Sequence, residues 1–152
     1  MDKRSKLVKI IEGVGHKATP SDVDIPKKVL MKFEDGNTGK TKCAAFVEIA
    51  DTDFLRRKGL SKRASLGRSE GMYFDCKGPF WMKDVEFPLD LCYLDESGMV
   101  TEKVAMAKDK TGSTLYPRKN MESIQAIELP AGYCSEHGIK IGDVLVPMMR
   151  ID

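Results

Sequence analysis

The 152-residue sequence predicts a mainly β protein: a compact antiparallel β-sandwich or barrel-like domain over residues 29–152, with two short helices and an N-terminal extension over residues 1–28. Three observations predict it. Short apolar runs recur along the chain, separated by Gly, Pro, Asn and Asp, which is the punctuation of strands and turns. The long amphipathic segments that alternate with strands in a parallel α/β sheet are missing. The stretch from Pro79 to Val100, which holds the only tryptophan, reads as two apolar strands around a turn-rich joint.

Leu7 to Ile11 suits a first strand, but the run after it is rich in breakers (Gly13, Gly15, Pro20 and Pro26), so this leader is expected to be an arm. Val29 to Glu34 and Ala44 to Ile49 then pair across an Asp35-Gly36-Asn37 turn. Asp51 or Thr52 can cap a short helix that has acids in its first turn, bases in its last and Gly59 at its end. Gly71 to Phe74 is a short buried strand. Phe80-Trp81-Met82 is too apolar for an exposed loop, and burying each aromatic side chain is worth about 2–3 kcal/mol, so all three are expected in the core.

Pro88 lacks an amide donor and marks the start of the strand Leu89 to Asp95. Leu89, Leu91 and Tyr93 share one face of it, and Asp90, Cys92 and Leu94 the other. Glu96-Ser97-Gly98 turns the chain into Val100 to Ala107, and a polar loop, 108–120, follows. Ile124 to Leu129 is the next strand. A short helix within 130–138, near His137, and a last strand, Val144 to Ile151, complete about eight strands.

Composition excludes several classes. A net charge of +2 and a pI near 8.3 give no global field for nucleic acid or an acidic membrane. No apolar run reaches the length of a signal h-region or a membrane span. Cys43, Cys76, Cys92 and Cys134 match neither a zinc pattern nor a Cys-x-x-Cys pair, and free buried thiols are expected. His16 and His137 form no ligand pair, so neither a metal nor another cofactor is expected. Gly36-Asn37-Thr38-Gly39-Lys40 falls short of a phosphate-binding loop and sits in a turn.

The chemistry-bearing candidates are few. Asp90 and Asp95 lie on opposite faces of one strand, about 17 Å apart, too far for a glycosidase pair. Asp84 and Asp90, brought closer by the Pro88 joint, are where an acid–base site would sit, with Lys83 beside them and Trp81 available for stacking. The plainer reading has these carboxylates tying loop amides. Arg56, Arg57, Lys58, Lys62, Arg63 and Arg68 form a basic run without an acid. It is either a partner surface or a solvated face whose arginines pair with distant carboxylates.

Gly59-Leu60 with Arg63 and Leu66, Gly71-Met72-Tyr73-Phe74, Phe80-Trp81-Met82-Lys83-Asp84 with Pro88-Leu89-Asp90, Asp95 and Gly98, and Glu128-Leu129-Pro130-Ala131-Gly132 with Gly138 to Asp143 occur in a distinctive order and spacing. From about Val29 to Val146 the chain resembles the domain of unknown function 192 family, also called uncharacterised protein family 0127. The resemblance implies a compact, mostly antiparallel β domain of sandwich type, and it brings no activity or catalytic residues. The chain departs from the family pattern at Ser61, where Met is usual, and at Asp84, where Asn is usual. Many relatives carry an export signal or lipid anchor, whereas this chain opens on a charged leader. Its expected place is therefore cytoplasmic or within a large assembly.

Two functions follow as expectations. The favoured one is a non-catalytic β module that binds a protein partner or self-associates through its arm, basic run or a sheet edge, as an accessory or structural subunit of a larger assembly. The alternative is a small-ligand or carbohydrate-acting domain with a pocket near Trp81, Lys83, Asp84 and Asp90.

Overall fold

A computed structural model describes residues 25–151, with side chains described to residue 148. The possible strand at Leu7 to Ile11, His16 and most of the expected arm lie outside the described residues. Among the described residues, nine strands and two short helices follow one another as β1 (Lys27–Glu34), β2 (Thr41–Ala50), α1 (Asp53–Lys58), β3 (Glu70–Phe74), β4 (Phe80–Trp81), β5 (Leu89–Leu94), β6 (Val100–Met106), β7 (Leu115–Tyr116), β8 (Gln125–Pro130), α2 (Tyr133–His137) and β9 (Val144–Ile151). The protein is mainly β, as expected.

Seven strands form one curled sheet in the order β6-β5-β8-β3-β2-β1-β9, and β4 pairs with β7 in a separate two-stranded ribbon. The curl brings the two edge strands together at one end. There Met99 bridges Val144, the Val100 amide donates to the Asp143 carbonyl at 2.8 Å, and the Leu145 amide donates to the Gly98 carbonyl at 2.9 Å. Of the two expected forms, the barrel-like one is therefore observed, as a half-barrel joined at one end. One pair departs from the antiparallel expectation: β2 and β3 run parallel, from Phe46 opposite Glu70 to Ala50 opposite Phe74. The crossover between them contains α1, which is how a single parallel pair can be joined. Too short to show as an amphipathic period, it left no parallel signature in the sequence.

Local chemistry explains the elements. The Leu55 amide donates to Thr52 Oγ1 at 3.1 Å, which caps α1, and Gly59 ends it with φ 48°, where a side chain would be strained. In the β1–β2 turn, Asp35 Oδ1 accepts from the Asn37 and Thr38 amides at 2.8 and 2.9 Å. The expected alternation along β5 holds, with a consequence for the whole architecture. Leu89, Leu91 and Tyr93 join one apolar cluster with Met72, Phe74, Phe80 and Ala126, while Cys92 and Leu94 join another with Val29, Phe33, Val47 and Ile127. The central strands are thus buried on both sides.

The cluster around Leu89, Leu91 and Tyr93 is where the chain closes over the sheet. Helix α1 and the 76–88 excursion cover it, and Phe80 packs edge-on against Phe74 and Tyr93, with centroids 5.1 and 5.7 Å apart. Tyr93 Oη donates to the Tyr116 carbonyl at 2.6 Å and so fastens the β4–β7 ribbon to β5. Trp81 corrects the expectation of a wholly buried Phe80-Trp81-Met82. Phe80 and Met82 are buried, but Trp81 is 48% exposed. Neighbours along an extended chain face opposite ways, so the inward pair forces the indole outward.

Cys92 and Cys134 are buried and Cys43 and Cys76 half-buried, all of them free thiols. The Cys92 and Cys134 sulfurs lie 3.3 Å apart between β5 and α2. His137 ends α2 and packs on Tyr133 at 4.3 Å between centroids. No helix among the described residues is long and apolar enough to cross a membrane.

Candidate functional site

A cleft of about 230 Å³ opens between α1 and the segment around β4, above the side of the sheet that these elements cover. Gly59, Leu60, Phe74, Phe80 and Val85 supply its apolar wall. Gly78 lets the wall close: its φ is 77°, and a β-carbon there would stand 2.8 Å from Tyr93 Oη.

Glu128 is the residue that sets this cleft apart. It lies on β8 between Met72 of β3 and Leu91 of β5, and its side chain lines the cleft. It is only 4% exposed, and among the described residues its carboxyl has neither a hydrogen bond nor an ion pair. Desolvation alone pushes its pKa up from 4.5 to about 8, so near neutral pH it is chiefly a carboxylic acid, able to donate as well as accept. Cys76 lines the same cleft, and burial raises its pKa, which keeps it a thiol.

The mouth is basic and aromatic. Lys83 Nζ lies 5.5 Å from the centroid of the Trp81 ring, and Lys58 Nζ lies 5.9 Å from that of Phe54. Arg57, Lys58 and Lys83 all line the cleft, and none of the three forms an ion pair among the described residues. Arg56 also lines it but is committed elsewhere. It donates to Asp75 through Nε and Nη2 at 2.7 and 3.2 Å and to Asp53 through Nη1 at 3.0 Å.

The residues expected from the sequence separate accordingly. Trp81 and Lys83 are on the cleft. Asp84 is not; it lines an adjoining groove with Phe54, Ser61 and Lys62, and has φ 59°. Its backbone does the tying, since its carbonyl accepts from the Lys62 amide at 2.8 Å and its amide donates to the Lys110 carbonyl at 3.1 Å. The Asp90 carboxylate accepts from the Cys134 amide at 3.0 Å, at the start of α2, and does not line the cleft. In the basic run, Arg63 pairs with Glu48 and Arg68 with Glu136, as the plainer reading holds, whereas Arg57 and Lys58 face the cleft. Glu128 stands in the sequence only as part of a block of the family resemblance, not as a candidate site residue. The available signal was an acid inside the apolar strand Gln125-Ala126-Ile127-Glu128-Leu129. No cluster of His, Cys, Asp and Glu suited to a metal ion occurs among the described residues.

A curled β half-barrel with a cleft over its covered side defines the class of protein. The chain belongs to the DUF192 family, described as "Uncharacterized ACR", whose model matches residues 35–147. A Sinorhizobium meliloti 1021 crystal structure, described as a candidate transcription regulator, is similar at 24% identity with a TM-score of 0.71, over 80% of this chain and 95% of that one. A Novosphingobium aromaticivorans DSM 12444 structure, described as a protein of unknown function, is similar at 24% identity with a TM-score of 0.65, over 86% and 99%. These likenesses establish the fold. No match is found among curated proteins.

Proposed function

We propose that the domain is a non-catalytic binding module whose cleft between α1 and β4 takes a small ligand. The observation that carries this reading is the unpartnered carboxyl of Glu128 in the cleft. A buried polar group without a partner costs about 1–3 kcal/mol, and an occupant able to bond it recovers that cost. The pairing of an apolar wall with a few convergent polar groups is the usual make-up of a ligand site. A binding role is favoured over catalysis because, among the described residues, the lining contributes a single carboxyl and a thiol held protonated, without the second carboxylate or activated nucleophile that hydrolysis requires.

Trp81 is the only tryptophan, so its indole N–H gives one resonance that reports on the cleft mouth. A chemically diverse fragment set screened by that resonance is expected to yield binders that compete with one another and weaken when Glu128 is replaced by Leu. A set in which no fragment shifts the resonance, or in which every binder ignores the replacement, would remove the cleft as a ligand site.

A second reading, association with a macromolecular partner in a larger assembly, is supported by the adjoining groove, where exposed Phe54 and Trp81 stand among Arg57, Lys58 and Lys62. Charge reversal at Lys58 and Lys62 is expected to abolish co-purification of such a partner. Unchanged co-purification would move the contact elsewhere.

A further inference from the structure

The order of chemical groups along the cleft restricts what it can hold. Cations stand at the mouth, on Arg57, Lys58 and Lys83, with no carboxylate paired to them among the described residues. Rings and aliphatic groups form the wall, through Phe74, Phe80, Leu60 and Val85. A single buried carboxyl, that of Glu128, lies on the sheet beneath them. A fully polar molecule would lose its hydration against the wall without replacement, and a fully apolar one would leave the carboxyl unbonded. A cationic ligand would suit Glu128 but meet three unpaired positive charges on entry.

We infer that the ligand is a compact ring-bearing monoanion with a hydroxyl or carbonyl group on the side of the ring opposite the anion. This rests on the reading of the cleft as a ligand site. The anion meets Arg57, Lys58 and Lys83, the ring lies along Phe74 and Phe80 beneath the Trp81 indole, and the far polar group bonds Glu128. A protonated Glu128 serves either kind of far group, donating to a carbonyl or accepting from a hydroxyl. Only one ring and its substituents are expected to fit, since the cavity is about 230 Å³.

Three probes separate the parts: 4-hydroxybenzoate carries ring, anion and hydroxyl; benzoate lacks the hydroxyl; phenol lacks the anion. Titrated into the full chain at pH 7 and followed by the Trp81 indole resonance, 4-hydroxybenzoate is expected to bind about tenfold more tightly than either truncated probe, the discrimination of one well-made hydrogen bond or charge contact. Glu128→Leu is expected to bring 4-hydroxybenzoate to the affinity of benzoate. Arg57→Ala combined with Lys83→Ala, both at exposed positions, is expected to bring it to that of phenol while leaving phenol unchanged. Equal binding of all three probes, or of none while unrelated fragments still compete at the cleft, overturns the ligand class and leaves the cleft reading standing. Silence from these probes and from every fragment overturns both.

Discussion

Two buried acids, Asp143 and Glu128, have the same 4% exposure and opposite surroundings. Asp143 sits where the edge strands join. Lys42 Nζ donates to it at 2.7 Å, and the Lys140 and Gly36 amides donate at 2.8 and 3.1 Å. Burial pushes its pKa upward, but the Lys42 bond and the two amides outweigh that, and the net shift is downward. Glu128 has burial without compensation, and its pKa rises to about 8. Neither side chain meets much solvent, but Glu128 lies deep in the sheet and Asp143 near the surface, so depth and the presence of donors together decide whether a buried acid acts as a structural tie or stands as an unsatisfied group facing a cleft.

The comparison breaks first at Asp143. Asp143→Ala removes the acceptor of three donors, although Lys42 keeps the Gly138 carbonyl at 2.7 Å and Asp35 at 3.7 Å, and is expected to cost about 3 kcal/mol in denaturant unfolding. Its pH signature follows from the sign of the shift. A depressed pKa stabilises the fold above the unfolded value near 3.8, and that contribution is lost as pH falls through the folded value. A variant with an unchanged acid limb would show that the Asp143 bonds contribute nothing to folding.

Glu128→Gln is expected to act in the opposite direction and stabilise the protein by up to about 3 kcal/mol at pH 7, because it removes a carboxyl that is ionised more readily in the unfolded chain than in the folded one. A residue that lowers stability where it stands is typical of sites kept for function. Asp90→Ala, which removes the acceptor for the Cys134 amide, is expected to cost about 1 kcal/mol and leave probe binding at the cleft unchanged. The smallest change in stability is expected of Trp81→Ala, within about 0.5 kcal/mol, since half of the indole is already in solvent. Its effect is expected on 4-hydroxybenzoate affinity, measured calorimetrically. A large loss of stability would return Trp81 to the core.

The same contrast explains what the sequence made legible. Alternation along Leu89 to Leu94 placed each side chain on its proper side, and Pro88, Gly59 and Gly98 marked real boundaries, because period and turn chemistry are local properties. The parallel β2–β3 pair was hidden because the helix in its crossover, Asp53–Lys58, is short and reads like a turn. Trp81 was placed inside on hydrophobicity, whereas its direction was fixed by the inward Phe80 and Met82 beside it. Of the cleft, Trp81 and Lys83 were legible as ligand candidates, and Arg56, Arg57 and Lys58 as part of a basic run, whereas Glu128 was not. Whether an acid in a strand meets solvent, a donor or an apolar wall depends on strands distant in sequence, here β3 and β5, and no local spacing encodes that.

The central claim is that Glu128 is buried without a partner, and the pH dependence of the stability difference between Glu128→Gln and the unaltered protein tests it most directly. The account predicts a difference that grows in favour of the variant as pH rises from about 4.5 towards 8, the span between the unfolded and folded pKa values, and then levels. A difference that stays flat across that span, or that favours the unaltered protein at pH 8, would contradict it.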